Sequence, residues 1–173
     1  MRLLSVGVPF ALIGLVRAIG QQTCVSFTDS SDTFSIVKNN RATPILISTD
    51  DWPGVHRAAA DFVEDIKRVT GATSVLANVS SSSDGTPTPS DSVVVIGTLG
   101  KSSLISQVIN ATQLDVSSIE GKWEAFISRV VSNPLPGISK AYVIVGSDKR
   151  GTIYGLYDHS EQFGVSPWYW CVS

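Results

Sequence analysis

The chain holds 173 residues, with 13 Lys and Arg against 15 Asp and Glu, a formal net charge of −2, and 43% hydrophobic residues. That balance supports one packed core and excludes both a charge-rich disordered chain and a nucleic-acid binder, which would carry a basic stripe or arm. Two cysteines and two histidines make no disulfide framework, and neither histidine has a metal-ligand partner at usable sequence spacing, since zinc sites need three or four converging ligands.

Residues 1–20 read as a secretory signal peptide. Arg2 supplies the positive start, Leu3 to Val16 is almost wholly apolar, and Ala18-Ile19-Gly20 offers small residues ahead of a cleavage near Gln21. A membrane anchor is the alternative, but the apolar run is about 14 residues, short of the roughly 20 that span a bilayer. The product is therefore expected to be secreted and extracellular, without a membrane partner after cleavage. Residues 21–173, about 150, are enough for a single domain with a real core. Cys24 and Cys171 lie near opposite ends and could pair in an oxidising compartment, although spacing alone does not show that they meet. Asn78-Val79-Ser80 and Asn110-Ala111-Thr112 are glycosylation sequons that agree with export.

Thr43 to Ser48 is a short apolar strand candidate. Asp50 or Asp51 is placed to cap the helix that follows, with Pro53 in its first turn. Val55, Ala58, Ala59, Phe62, Ile66 and Val69 form one face of that helix, Asp61, Glu64 and Asp65 an exposed one, and Gly71 stands where it would end. Val75 to Val79 is a second strand candidate, followed by a Ser, Thr, Pro, Asp and Gly-rich loop from Ser80 to Ser92. Val93 to Ile96 is strongly β-branched. Gly97-Thr98-Leu99-Gly100-Lys101-Ser102 follows it, but Val95 stands where a phosphate-binding loop needs glycine. A tight turn into a helix burying Leu104, Ile105, Val108 and Ile109 is the preferred reading. Gly121-Lys122-Trp123 opens a strand through Val131, Asn133-Pro134-Leu135-Pro136-Gly137 is expected to forbid regular structure, and Ala141 to Val145 resumes as a strand. Gly146 to Gly151 then turns into a helix carrying Ile153, Leu156, Tyr157, Ser160 and Phe163 at helical spacing, with Gly164 as its stop. The alternation predicts an α/β fold: a small mixed β-sheet with helices packed on it.

No pair of acids declares itself as the acid and base of a glycosidase, and no Gly-x-Ser-x-Gly elbow or cysteine near a histidine is visible. Catalytic residues are therefore not assigned, and neither a cofactor nor a metal is expected. Asp148, Lys149 and Arg150 admit two readings. In one, Asp148 caps the last helix and the cations face solvent or pair with carboxylates; in the other, Lys149 or Arg150 points to a neighbouring domain or an anionic sugar, whose carboxylate an arginine fork matches. Trp168, Tyr169 and Trp170 offer a sugar-stacking platform, although three successive aromatics cannot all face one way, and packing against a following domain is the other use.

Four ordered blocks carry a resemblance: IGTLGKSSLI (96–105), GKWEAF (121–126), NPLPGISKAYVIVGSDKRGTIYG (133–155) and GVSPWYW (164–170). Together they resemble the N-terminal domain of glycoside hydrolase family 115, the xylan α-1,2-glucuronidases. The resemblance implies a secreted hydrolase that removes glucuronic or 4-O-methylglucuronic acid from glucuronoxylan with inversion, built as an α/β accessory domain ahead of a catalytic (β/α)8 barrel. Such a barrel takes about 250 residues, and the sequence ends where it is expected to begin. The resemblance therefore implies an accessory domain or fragment that is inactive alone, whose missing partner is the barrel; a stand-alone secreted carbohydrate-binding or interaction domain is the alternative. His159 stands where the family has an apolar residue, a harmless replacement if its side chain faces outward.

Overall fold

The computed structural model describes residues 24–28, 33–80 and 91–166. The expected leader (1–20), most of the Ser80 to Ser92 loop, the aromatic cluster Trp168-Tyr169-Trp170 and Cys171 lie outside them. Among the described residues no helix is long and apolar enough to cross a membrane.

A small antiparallel hairpin, β1 (Val37–Lys38) and β2 (Arg41–Ala42), precedes the main unit. Then come β3 (Ile45–Ser48), α1 (Pro53–Thr70), β4 (Leu76–Val79), β5 (Ser92–Thr98), α2 (Ser103–Thr112), β6 (Phe126–Leu135), β7 (Ile138–Gly146) and α3 (Lys149–Gln162). The five-stranded sheet has the order β4-β3-β5-β7-β6, parallel except for β6, which runs antiparallel along one edge. This is the mixed α/β sheet expected from the alternation of elements.

The central strands are buried on both faces, which is why they read as continuous hydrophobic runs. Period-2 alternation divides their side chains. Ile45, Ile47, Val94, Ile96 and Ile144 face α1 and α3, packing with Phe62, Ile66 and Leu156. Leu46, Val93, Val95, Val143 and Val145 face α2, packing with Leu104, Ile105 and Val108. The sheet is thus the middle layer of three.

Local details depart from the sequence reading. Neither Asp50 nor Asp51 caps α1: its N-cap is Trp52, whose side chain makes no capping bond. Asp50 reaches instead to the Ser103 N–H that opens α2, and Asp51 to Thr98 and to its neighbour's N–H. Gly71 does close α1 in the left-handed conformation, φ 74°. Val69, placed on the buried face, is exposed, while Asp65, placed on the solvated face, is buried and paired with Arg68. The Gly-Lys-Ser turn is a helix cap, Ser102 Oγ accepting the Ile105 N–H at 3.3 Å.

Residues 121–125 are not strand; β6 begins at Phe126. It then runs through Asn133-Pro134-Leu135, the stretch expected to be irregular, and only Pro136-Gly137 turns the chain into β7. The pairing slips between Ser132 and Leu135, and Asn133 takes φ 50° there. Proline survives in β6 because an edge strand has unpaired positions that need no N–H donor.

Candidate functional site

In parallel sheets, ligands collect beyond the carboxyl ends of the strands where neighbouring connections diverge. Here β3 leads through α1 to β4 on one side, and β5 leads through α2 and β6 to β7 on the other. The connections part between β3 and β5. A crevice of about 370 Å³ opens at this edge, walled by Trp52, Leu99, Lys101, Ser147, Asp148 and Lys149.

Asp51 holds the floor together. It is 5% exposed, and its carboxylate accepts the Thr98 N–H and the Thr98 hydroxyl, each at 2.9 Å. Thr98 in turn lies 2.9 Å, oxygen to oxygen, from Thr152 of α3. One buried carboxylate therefore joins the ends of β3 and β5 to the first turn of α3.

Asp148 and Ser147 form the opposite wall and are fully engaged in structure. Asp148 accepts the Gly151 N–H at 2.7 Å, capping α3, and the Glu124 N–H at 3.0 Å. Those two backbone donors, Glu124 first, hold its carboxyl below the ordinary range. Ser147 Oγ accepts the Ala125 N–H at 3.1 Å. Arg150 turns away from the crevice: its guanidinium pairs with Glu124 at 2.9 Å and donates to the Tyr154 hydroxyl at 2.8 Å.

Two cations line the crevice. Lys101 and Lys149 are exposed and have no ion-pair partner among the described residues. Lys101 Nζ sits 5.0 Å from the centroid of the Trp52 ring, which is 42% exposed. An aromatic face beside two ammonium groups suits a ring that bears a carboxylate. Sequence reasoning singled out Lys149, read Lys101 as part of a tight turn and missed Trp52; the signal of both is position, since each follows the carboxyl end of a predicted strand.

The carboxyl groups of Asp50, Asp115 and Asp148 all lie below the ordinary range, the wrong direction for a general acid. At Asp50 burial pushes upward but is outweighed by bonds from Ser48 and Ser103; at Asp115 the Ser117 hydroxyl leads.

The sequon residues Asn78, on edge strand β4, and Asn110, in α2, are exposed. His159 does not face outward. It is 0% exposed, wedged beside the rings of Phe62, Phe126 and Tyr142, and it lies within reach of the free thiol of Cys24, a proximity that nothing local in the sequence signals.

Among solved structures, the chain is similar to a glycoside hydrolase family 115 4-O-methyl-α-glucuronidase with specificity for decorated arabinogalactans, at 28% identity and a TM-score of 0.54. The match takes in 76% of this chain and 14% of that enzyme. No protein-family model and no curated protein matches the chain. The similarity is at family level, and the chain corresponds to a small part of the larger protein.

Proposed function

We propose that this chain is the α/β accessory domain of a secreted α-glucuronidase of the family 115 kind, acting on polysaccharides decorated with glucuronic or 4-O-methylglucuronic acid. The domain carries no hydrolytic site of its own, and the reaction belongs to a barrel that it adjoins. The observation that carries this reading is the match of three quarters of the chain to one small part of a far longer glucuronidase. The downward-shifted carboxyl groups agree with it. So does the crevice, whose Trp52, Lys101 and Lys149 suit a uronate rather than a scissile bond.

Two measurements test it. The purified chain, incubated with glucuronoxylan and with decorated arabinogalactan, is expected to release no uronic acid; release that survives rigorous purification would overturn the accessory role. Grafted in place of the N-terminal unit of a family 115 glucuronidase, the chain is expected to return soluble, active enzyme. A graft that folds yet is inactive, where the enzyme's own unit restores activity, would count against it.

A further inference from the structure

At the opposite end of α3 from the crevice, residues 24–28 lie against Gln162, His159 and Tyr142 and help line a cavity of about 550 Å³. Cys24, Phe34, Val69, Tyr142, His159 and Phe163 are among its walls. Beside it, three kinds of metal ligand come together. The Cys24 sulfur, a ring nitrogen of His159 and a carboxylate oxygen of Asp158 all lie within 4.8 Å of one another.

We propose that Cys24 Sγ, His159 Nε2 and the Asp158 carboxylate form a binding site for a thiophilic divalent cation of the zinc type, beside this cavity.

The first support is distance. Sγ and Nε2 are 3.5 Å apart. Tetrahedral zinc, with bonds of about 2.3 Å to sulfur and about 2.0–2.1 Å to nitrogen, separates those two atoms by about 3.6 Å. The sulfur and nitrogen already stand at the ends of one tetrahedral edge.

Ring orientation is the second. His159 Nδ1 is 2.6 Å from the Gly155 carbonyl oxygen. A carbonyl can only accept, so the neutral ring carries its proton on Nδ1 and leaves Nε2, 3.5 Å from Cys24 Sγ, as the unprotonated ring nitrogen. Metal-binding histidines are held in the same way, by a hydrogen bond from the nitrogen that does not ligate. Tyr142 Oη lies 2.7 Å from Nε2 and 3.9 Å from Sγ, where its hydroxyl donates to the sulfur. With a cation bound, the thiol proton would leave to solvent and the phenol would go on donating to the thiolate.

The third is a clamp on the other two ligands. Gln162 uses its carbonyl oxygen to take the Cys24 N–H at 2.7 Å and its amide NH₂ to hold an Asp158 oxygen at 2.7 Å. One side chain thus fixes the thiol's backbone and the carboxylate together. Because Cys24 is exposed, an ion can enter from solvent.

The test uses the full chain carrying Cys171→Ser, kept reduced so that Cys24 is its only thiol. Titrated with Zn²⁺ by calorimetry, it is expected to bind a single ion and to melt at a higher temperature as zinc is added. Co²⁺ should give a thiolate-to-cobalt charge-transfer band in the near ultraviolet. His159 is buried and its replacement endangers the fold, so the readout rests on two safer variants. Cys24→Ser should abolish the band, and Gln162→Ala should weaken zinc binding about tenfold, the lower end of what outer hydrogen-bond partners cost. A parent chain whose melting temperature ignores zinc, or a Cys24→Ser variant that binds zinc as the parent does, would overturn the site.

Discussion

The carboxylate of Asp51 takes both hydrogen-bond donors of Thr98, its N–H and its hydroxyl, each at 2.9 Å, and also the N–H of Trp52 at 2.7 Å. Three donors converge on one buried acid that ties β3 to β5 at the base of the crevice. Replacement by alanine leaves the buried Thr98 donors without their acceptor. Hydrogen bonds to charged groups contribute about 1.5–3 kcal/mol, and an orphaned buried donor costs a similar amount. Asp51→Ala is therefore expected to lose about 3 kcal/mol of unfolding free energy in urea titration; a loss under about 1 kcal/mol would mean that water replaces the carboxylate freely.

Gly146 and Gly151 bracket the charged turn, and neither has positive φ. Each is glycine because a β-carbon would collide with backbone: at Gly146 with the Thr152 amide nitrogen, at Gly151 with the Ala125 carbonyl oxygen. The start of α3 is pressed against the entry to β6. Gly151→Ala should destabilise by about 1–3 kcal/mol, as overpacking of a closed site does. Gly71→Ala, which has open space but a φ of 74°, should cost less. Equal denaturant midpoints for the wild type and Gly151→Ala would show that the contact yields without penalty.

These two contacts also mark where the sequence stops being informative. The order of strands and helices is legible because each element's own apolar run, from Ile45 to Val145, records the layer it faces. Gly151 is legible as special, but not as a close approach, because its neighbour Ala125 lies more than twenty residues away in the chain. Asp51 looks like a cap for the next helix and instead serves a strand 47 positions on. Pro134 reads as a breaker because the sequence does not say that its strand lies on the edge. His159 reads as a surface substitution because Cys24, 135 positions away, and Tyr142 supply its partners only in the folded chain.

Asp148 should leave a signature in pH. Its carboxyl sits below the ordinary range because the Glu124 and Gly151 N–H groups bond the charged form. For a depressed folded-state pKa, the stabilisation is complete above the unfolded value, about 3.9, and is lost as pH falls through the folded value. Asp148→Asn keeps one acceptor but sets an amide NH₂ against a backbone donor, so near pH 7 it should cost about 1 kcal/mol, a typical capping loss. The gap between wild type and variant should close as pH drops below about 4. Parallel stability curves across that range would remove the charge from the explanation.

The unpaired cations of the crevice permit a sharper experiment than loss of activity. Lys101 and Lys149 lie at the surface, so replacing both by alanine should move stability by no more than about 0.5 kcal/mol. If they meet a uronate, the double variant should elute earlier than wild type from immobilised glucuronoxylan at low salt. Both should elute together from xylan lacking uronic acid. Raised ionic strength should erase the difference, because exposed charges are screened over about 10 Å at 0.1 M salt. Arg150→Ala is the control within the same turn: its guanidinium is committed to Glu124 and Tyr154, so its retention should stay near wild type. A loss confined to Arg150→Ala would move the anion contact out of the crevice and onto the first turn of α3. Identical retention of all three proteins would overturn the uronate contact at this edge of the sheet.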